Sequence, residues 1–421
     1  MKNLINDLYK LKPQLLGVGY DNCIKYIQHL IKLDVLEFPS GTEFESWTVP
    51  DEWVVKEAWV KYKGKKIIDF NKEPLSLMVY SQPFKGKIDR DELKKHLYFS
   101  EEQKDAYPYE YSFYEKKWGV CLPYNKIFDK DGKDKLKEGE YEVNIDVEFK
   151  PGTMKVGVHT IPGKTDREIL LLAHLDHPHQ ANDNLSGVAC LFEYIKKNLP
   201  KKIDHTVKIV FCPETIGSIA YTQTQDLSKV DFVISVDICG NDNGVLYQRT
   251  FEEEHRLNRI VDLAVKESIT GDKSEEYRFG EWRHMIGSDE YPFTDPQIGI
   301  PGILLTRYPY REYHSSNDKP EIIDEKKIKH VQKIIQNIIK IYEKDYIPVR
   351  VGKLPIHRSK YGLQAPFHQI NRSLDYLLFN VDGEKYLSDI VYSLNLNYEF
   401  CYEYFERLKK DGLIIDKKLM P

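Results

Sequence analysis

From about residue 166 onward the chain alternates apolar strand-like runs with amphipathic helical stretches, and this alternation narrows the possible folds more than any other feature. The runs REILLLAH (167–174), TVKIVFCPE (206–214), DFVISVDIC (231–239) and GILLTRY (302–308) read as buried strands. Between and after them, NLSGVACLFEYIKKNL (184–199), GSIAYTQTQDL (217–227), EHRLNRIVDLAVKESI (254–269) and EKKIKHVQKIIQNIIKIYEKDY (325–346) read as helices. In the first of these, Leu185, Val188, Ala189, Phe192 and Ile195 recur on one face, the mark of a helix laid against a core. Such alternation specifies a three-layer α/β/α sandwich, with helices on both faces of a mostly parallel sheet.

The flanking segments have other textures. Residues 1–44 carry amphipathic helical periodicity without a core of their own, so they are expected to pack on the same sheet and form one discontinuous α/β domain with 151–348. Residues 45–150 hold four of the five tryptophans, Trp47, Trp53, Trp59 and Trp118. They also contain GEYEVNIDVEFK (139–150), where Val143, Ile145, Val147 and Phe149 share one face at period two. This segment reads as an inserted, mostly β domain, and TMKVGVHT (153–160) is expected to pair with 139–150 across Pro151-Gly152. Residues 349–421 suggest three short helices followed by a hairpin-like end, the pattern of a winged helix.

With 421 residues, two or three domains are expected. A net charge of -5 supplies no general basic field for nucleic acid. The C-terminal segment is no exception, since its helix in the recognition position, YEFCYEYFERLKK, opens with tyrosines and glutamates where phosphate contact needs basic side chains. A packing role or homo-oligomer formation through the winged-helix domain is the expectation instead. The cysteines at 23, 121, 190, 212, 239 and 401 are scattered, without a C-x-x-C pair. With no apolar run approaching the roughly 20 residues of a membrane span, this favours a cytoplasmic protein with reduced thiols.

In an open α/β sheet, ligands gather at the carboxyl ends of the strands. Reading the polar residues at those ends gives His174 and Asp176 after the first strand, Asp183 before the next helix, Glu214 after the second strand, Asp237 near the end of the third, and His314 in the loop after GILLTRY. Imidazoles and carboxylates converging on one edge suit zinc. Taken singly, Asp183 reads equally as a helix N-cap, His314 as an ordinary loop histidine, and His177 and His179 as surface or supporting residues. Asp237 is harder to explain structurally, because an ionised carboxylate at the end of a buried strand is costly unless paired or metal-bound.

The elements H-L-D (174–176), D-N-L-S-G (183–187), P-E-T-I-G-S (213–218), V-D (236–237), G-S-D-E-Y-P-F (287–293) and E-Y-H-S-S-N-D (312–318) stand in the order of the zinc aminopeptidase and glutamate carboxypeptidase superfamily. More closely, the chain resembles a bacterial aminopeptidase-like family with an inserted β domain and a C-terminal winged helix, matched also by W-T-V-P-D-E-W (47–53), W-G-V-C-L (118–122) and A-N-D-N-L-S-G (181–187). The resemblance implies that His174, Asp183, Asp237 and His314 are metal ligands, with Asp183 bridging two zinc ions. It implies that Asp176 orients His174, that Glu214 is the general base, and that Tyr313 polarises the scissile carbonyl.

One departure matters. Thr215 stands where the superfamily usually has a second Glu that binds zinc, so one or two ions are compatible with the pattern. An aminopeptidase also needs an anion for the substrate ammonium, for which Glu214, Asp237 and Asp289 are candidates, with Asp289 assigned to substrate binding. Arg278, Arg283, Arg307 and Arg311 flank the same loops and offer a partner for a substrate carboxylate. The expected activity is zinc-dependent hydrolysis of a small peptide or related amide. Two alternatives stand beside it: acyl transfer or deacylation of a biosynthetic intermediate, and a degenerate peptidase domain used for binding.

Overall fold

The computed structural model describes residues 1–198, 203–269, 276–364 and 368–419. The expected sandwich is present. Its central sheet has eight strands: β1 (Asp34–Pro39), β2 (Thr153–Ile161), β3 (Glu168–His174), β4 (Thr206–Cys212), β5 (Val230–Val236), β6 (Val245–Gln248), β7 (Tyr277–Gly280) and β8 (Gly302–Thr306), in the spatial order β1-β2-β4-β3-β5-β8-β6-β7. The four middle strands β4, β3, β5 and β8 are parallel. Between Ile169 and His174, β3 is buried throughout, as a strand covered on both faces must be.

The two faces of β3 separate two cores. Ile169, Leu171 and Ala173 pack with α1 (Lys2–Leu11), α2 (Val18–Leu30), α3 (Leu185–Asn198), α5 (Arg256–Ile269) and α6 (Glu325–Lys344). Leu170 and Leu172 face α4 (Ile216–Thr224), and the same core continues into Val60 and Val143 of a separate four-stranded sheet. That sheet orders Lys65–Asp69, Glu52–Tyr62, Glu140–Lys150 and Phe84–Asp89. Its first hairpin turns at Lys63-Gly64, both with positive φ (49° and 76°), the backbone that a two-residue turn matched to strand twist requires.

Two expectations are corrected. Residues 153–160 do not pair with 139–150: β2 lies between β1 and β4 in the central sheet, while Glu140–Lys150 pairs with Glu52–Tyr62 and Phe84–Asp89. A period-two pattern fixes which face a strand buries, not which strand it joins. Residues 34–39, within a stretch that reads as helical, form edge strand β1, half-exposed along most of its length and therefore without a strong apolar signal. Strands β6 and β7, also absent from the sequence reading, are four residues each.

Beyond α6, helices α7 (His368–Phe379), α8 (Leu387–Ser393) and α9 (Tyr398–Lys410) precede a strand, Ile414–Asp416, that pairs antiparallel with Pro348–Arg350. Leu377, Ile390, Tyr398 and Phe405 join the same core as α5 and α6. The attachment is also polar. Fully buried Asp345, at the end of α6, accepts from Ser388 N–H (2.9 Å) and Oγ (2.6 Å) and pairs with Arg256 (2.7 Å). Among the described residues no helix is long and apolar enough to cross a membrane.

Candidate metal centre

After β3 the chain passes first to β4 on one side and later to β5 on the other, so loops leave the carboxyl ends of these strands in opposite directions and open a crevice between them. His174 ends β3, Asp237 follows β5, Glu214 lies just beyond β4, and His314 reaches back from the loop after β8. The structure gathers these in one cluster with Asp183, which precedes α3. His174 Nε2 is 2.9 Å from Asp183 Oδ1 and 3.9 Å from Asp237 Oδ1, and His314 Nε2 is 3.0 Å from Asp183 Oδ2.

Asp183 is free to point into this crevice because its neighbour does the capping. Asn184 Oδ1 accepts from Gly187 N–H (3.0 Å) and from Ile238 N–H (3.2 Å). The backbone is held from behind by buried Asp318, which accepts from Asn182 N–H (2.7 Å), Asp183 N–H (3.1 Å) and Tyr310 Oη–H (2.6 Å). Around the cluster, His179, Thr215, Ile238 and His314 all have positive φ between 48° and 63°. Such a backbone costs β-branched Thr215 and Ile238 on the order of 1–3 kcal/mol each, so hydrogen bonds such as Ile238 to Asn184 and Thr215 to Asp289 are needed to hold it.

His177, read from sequence as a surface or supporting residue, is buried inside the cluster. Its Nδ1 is 3.2 Å from Asp183 Oδ1 and its Nε2 is 3.2 Å from Glu214 Oε2. One donor atom from each of His174, His177 and Asp183 lies within 4.8 Å of the others, a spacing that one cation can bridge. His179 points elsewhere, edge-on to Tyr9, and burial lowers its pKa to about 4.

Asp289, a candidate for substrate binding, is completely buried behind His174. Its Oδ1 accepts from Thr215 N–H (3.0 Å), Ser218 Oγ–H (2.9 Å) and Cys212 Sγ–H (3.6 Å), and its Oδ2 faces His174 Nδ1 at 3.4 Å. Asp176 accepts from Glu214 N–H (2.9 Å), and burial raises its carboxyl to about 6. Tyr313 stacks on His314, with ring centroids 3.9 Å apart. The β-rich segment contributes too: Tyr109 N–H donates to His314 O (2.8 Å), and its ring lies 5.1 Å from that of His314. Of the four arginines, Arg307 is buried against His330 and Asn243, Arg283 stacks on Tyr291, and Arg278 donates to Tyr308 O.

The electrostatics are those of a site short of positive charge. Burial pushes the Asp237 carboxyl well above its usual range, and Asp183 and Glu214 push it further against the opposing pull of His174. Burial also acts to raise Asp183 and Glu214, but their imidazole neighbours outweigh it and hold both low. His174 is pulled down by burial and, more strongly in sum, up by Asp237, Glu214, Asp183 and Asp289. Despite the short distances, His177 Nδ1, Asp183 Oδ2, Asp237 Oδ1 and His314 Nε2 make no aligned hydrogen bond among the described residues. Buried polar atoms are rarely left so, and nitrogen and carboxylate donors crowded in this way are the donor set of a divalent transition metal.

A family described as Domain of unknown function (DUF4910) matches residues 2–345. A Clostridium acetobutylicum protein named for polysaccharide biosynthesis and an aminopeptidase-like domain is 32% identical over 411 residues, covering 94% of this chain and 91% of its own. A crystal structure of a candidate peptidase from Clostridium acetobutylicum superposes with a TM-score of 0.82 at 29% identity, over 99% of this chain and 95% of that one. A zinc aminopeptidase from Bacillus subtilis has the same fold, with a TM-score of 0.58 at 14% identity, over 81% and 93% of the two chains. The scaffold is peptidase-like.

Proposed function

The chain belongs to the DUF4910 family, and from that premise we propose that it is a zinc-dependent hydrolase of aminopeptidase type, acting on a small peptide or related amide. The observation that carries this reading is the set of buried, unaligned donor atoms on His177, Asp183, Asp237 and His314 at the switch point of the sheet. His174, Asp183, Asp237 and His314 would hold metal, with His177 supplying the donor that Thr215 cannot. When bound there, zinc supplies Lewis acidity, lowering the pKa of water toward about 7 and polarising an amide carbonyl.

The chain's own residues do the rest. Glu214, partly open to the crevice, takes a proton from the attacking water as general base. Asp176 fixes the Glu214 backbone through its N–H, which orients the base. Asp289 keeps the His174 proton on Nδ1, so that Nε2 presents a lone pair to the crevice; we assign it this role in place of substrate binding. Tyr313, stacked on His314, donates to the substrate carbonyl in this scheme.

Protein purified without added metal should carry stoichiometric zinc and release amino acids from aminoacyl amides or carboxyl-blocked dipeptides, with activity lost to a chelator. Glu214→Gln should retain its zinc and lose at least about 100-fold in kcat; full activity in that variant would overturn the base assignment. A second reading, deacylation or acyl transfer on a carbohydrate precursor, draws on Thr215 and on the name of the Clostridium acetobutylicum relative. Zinc content with cleavage of N-acyl sugars but not of peptides would favour it. In the same scheme residues 45–150 limit substrate size, and the winged-helix segment 349–421 serves packing or self-association.

A further inference from the structure

The cavity that opens at Glu214 is walled by aromatic side chains that the α/β layers do not supply. Trp47, Tyr111, Phe113 and Tyr114, all from the β-rich segment, surround a space of about 190 Å³ whose floor is His177, Glu214 and Thr215. That is below the roughly 300–1,000 Å³ of pockets that enclose a whole small ligand, so it has room for one large side chain. Among the described residues no Lys or Arg lines it, and its titratable lining side chains besides the tyrosines are Glu214 and His177. A second cavity of about 540 Å³ shares Tyr111 with it and is lined also by Glu110, Tyr313 and His314.

Resting on the reading of Glu214 as general base, the chemistry decides which part of the substrate enters the aromatic cavity. As the water oxygen bonds to the amide carbon and the C–N bond breaks, the proton taken by Glu214 passes to the departing nitrogen, leaving a carboxylic acid and an amine. The nitrogen must therefore stand within hydrogen-bond reach of Glu214, and the group it carries falls between Trp47 and Tyr111. A carboxylate there would be buried beside the Glu214 carboxylate, and the one lining group able to be cationic, His177, is already engaged at both ring nitrogens by Asp183 and Glu214, an arrangement that burial penalises. We infer that the leaving group is an amine bearing one aromatic or large apolar side chain and no free carboxylate: an arylalkylamine, or a residue whose carboxyl is blocked as an amide, an ester or the continuing chain. Free-carboxylate dipeptides are then poor substrates, and the acyl portion occupies the space beside His314 and Tyr313.

Calorimetric titration of the zinc-loaded full chain with 2-phenylethylamine, phenylalaninamide and phenylalanine tests this without requiring turnover. The first two should bind, with phenylalanine at least about tenfold weaker because its carboxylate finds no partner. Trp47→Ala and, separately, the more exposed Tyr114→Ala should each weaken 2-phenylethylamine by at least about threefold through lost aromatic contact, with zinc content unchanged. Equal affinity for phenylalanine and phenylalaninamide, no binding of any probe, or wild-type affinity in both variants would overturn the inference. Selective amine binding with no amide cleaved by the same preparation would support the pocket and strike the hydrolase reading alone.

Discussion

Asp289→Asn separates two roles open to a buried carboxylate at this position, orienting His174 or binding a substrate ammonium. Its Oδ1 accepts from three donors, so the amide oxygen of the variant keeps that place and the new NH2 is forced toward His174 Nδ1, where Oδ2 now stands at 3.4 Å. An N–H facing Nδ1 disfavours a proton there and moves it to Nε2, the atom directed at Asp183, where a protonated nitrogen cannot bind metal. Loss of such a supporting partner typically costs 10- to 100-fold in metal affinity, equivalent to about 1.4–2.7 kcal/mol. Competition for zinc against a chromophoric chelator at pH 7.5 measures this, with Ser218→Ala as a control that removes one donor to Oδ1 without presenting an N–H to His174. Wild-type zinc affinity in folded Asp289→Asn, together with a raised KM for substrates carrying a free α-ammonium, would refute the reasoning and return Asp289 to the substrate.

Glu290 is buried with neither carboxyl oxygen in an aligned hydrogen bond among the described residues, and burial raises its pKa to about 7. An acid raised in the folded state favours folding at low pH and costs stability as pH climbs from its unfolded value near 4.5 through 7, by up to about 3 kcal/mol; Glu290→Gln should therefore melt higher than wild type at pH 8 and close to it at pH 5. His205 lies 2.9 Å from Asp231 and 3.2 Å from Glu343; burial lowers its pKa, but these carboxylates outweigh burial and raise it overall. Its contribution is thus complete below the unfolded pKa of about 6.5 and lost as pH rises through the folded value, so thermal scans from pH 5.5 to 8.5 should show a shallower decline in His205→Gln than in wild type. Removing one partner of a buried ion pair costs about 3–5 kcal/mol, and with Arg256 partly exposed the lower end is expected for Asp345→Ala. Urea denaturation, with limited proteolysis reporting release of the C-terminal helices, checks it.

Much of the architecture was legible without coordinates because burial writes itself into local periodicity. The middle strands β3, β4, β5 and β8 must be apolar on both faces, and α3 and α6 on one, so their sequences carry these constraints over five to twenty residues. Strand ends in a parallel sheet share one edge, which is why His174, Glu214, Asp237 and His314 could be grouped from position alone. Edge strands β1 and β7 face solvent, and the buried interior strand β6, with four residues, is too short for a pattern to accumulate.

Pairing and direction belonged to the tertiary structure. Residues 139–150 and 153–161 each look like a hairpin arm, yet the turn between them hands the chain from one sheet to another, because alternation encodes a buried face and leaves the partner unspecified. His177 and His179 are two positions apart in one loop, and only the fold sends the first to Asp183 and the second to Tyr9. Asp289 and Asp318 sit 106 and 135 positions along the chain from Asp183, behind the candidate metal centre, where their contacts are non-local and leave no periodic trace. The sequence by itself determined which residues had to be buried and which polar groups lay at the sheet edge; the packing of distant loops decided which of those groups meet, since that depends on three-dimensional distance and not on separation along the chain.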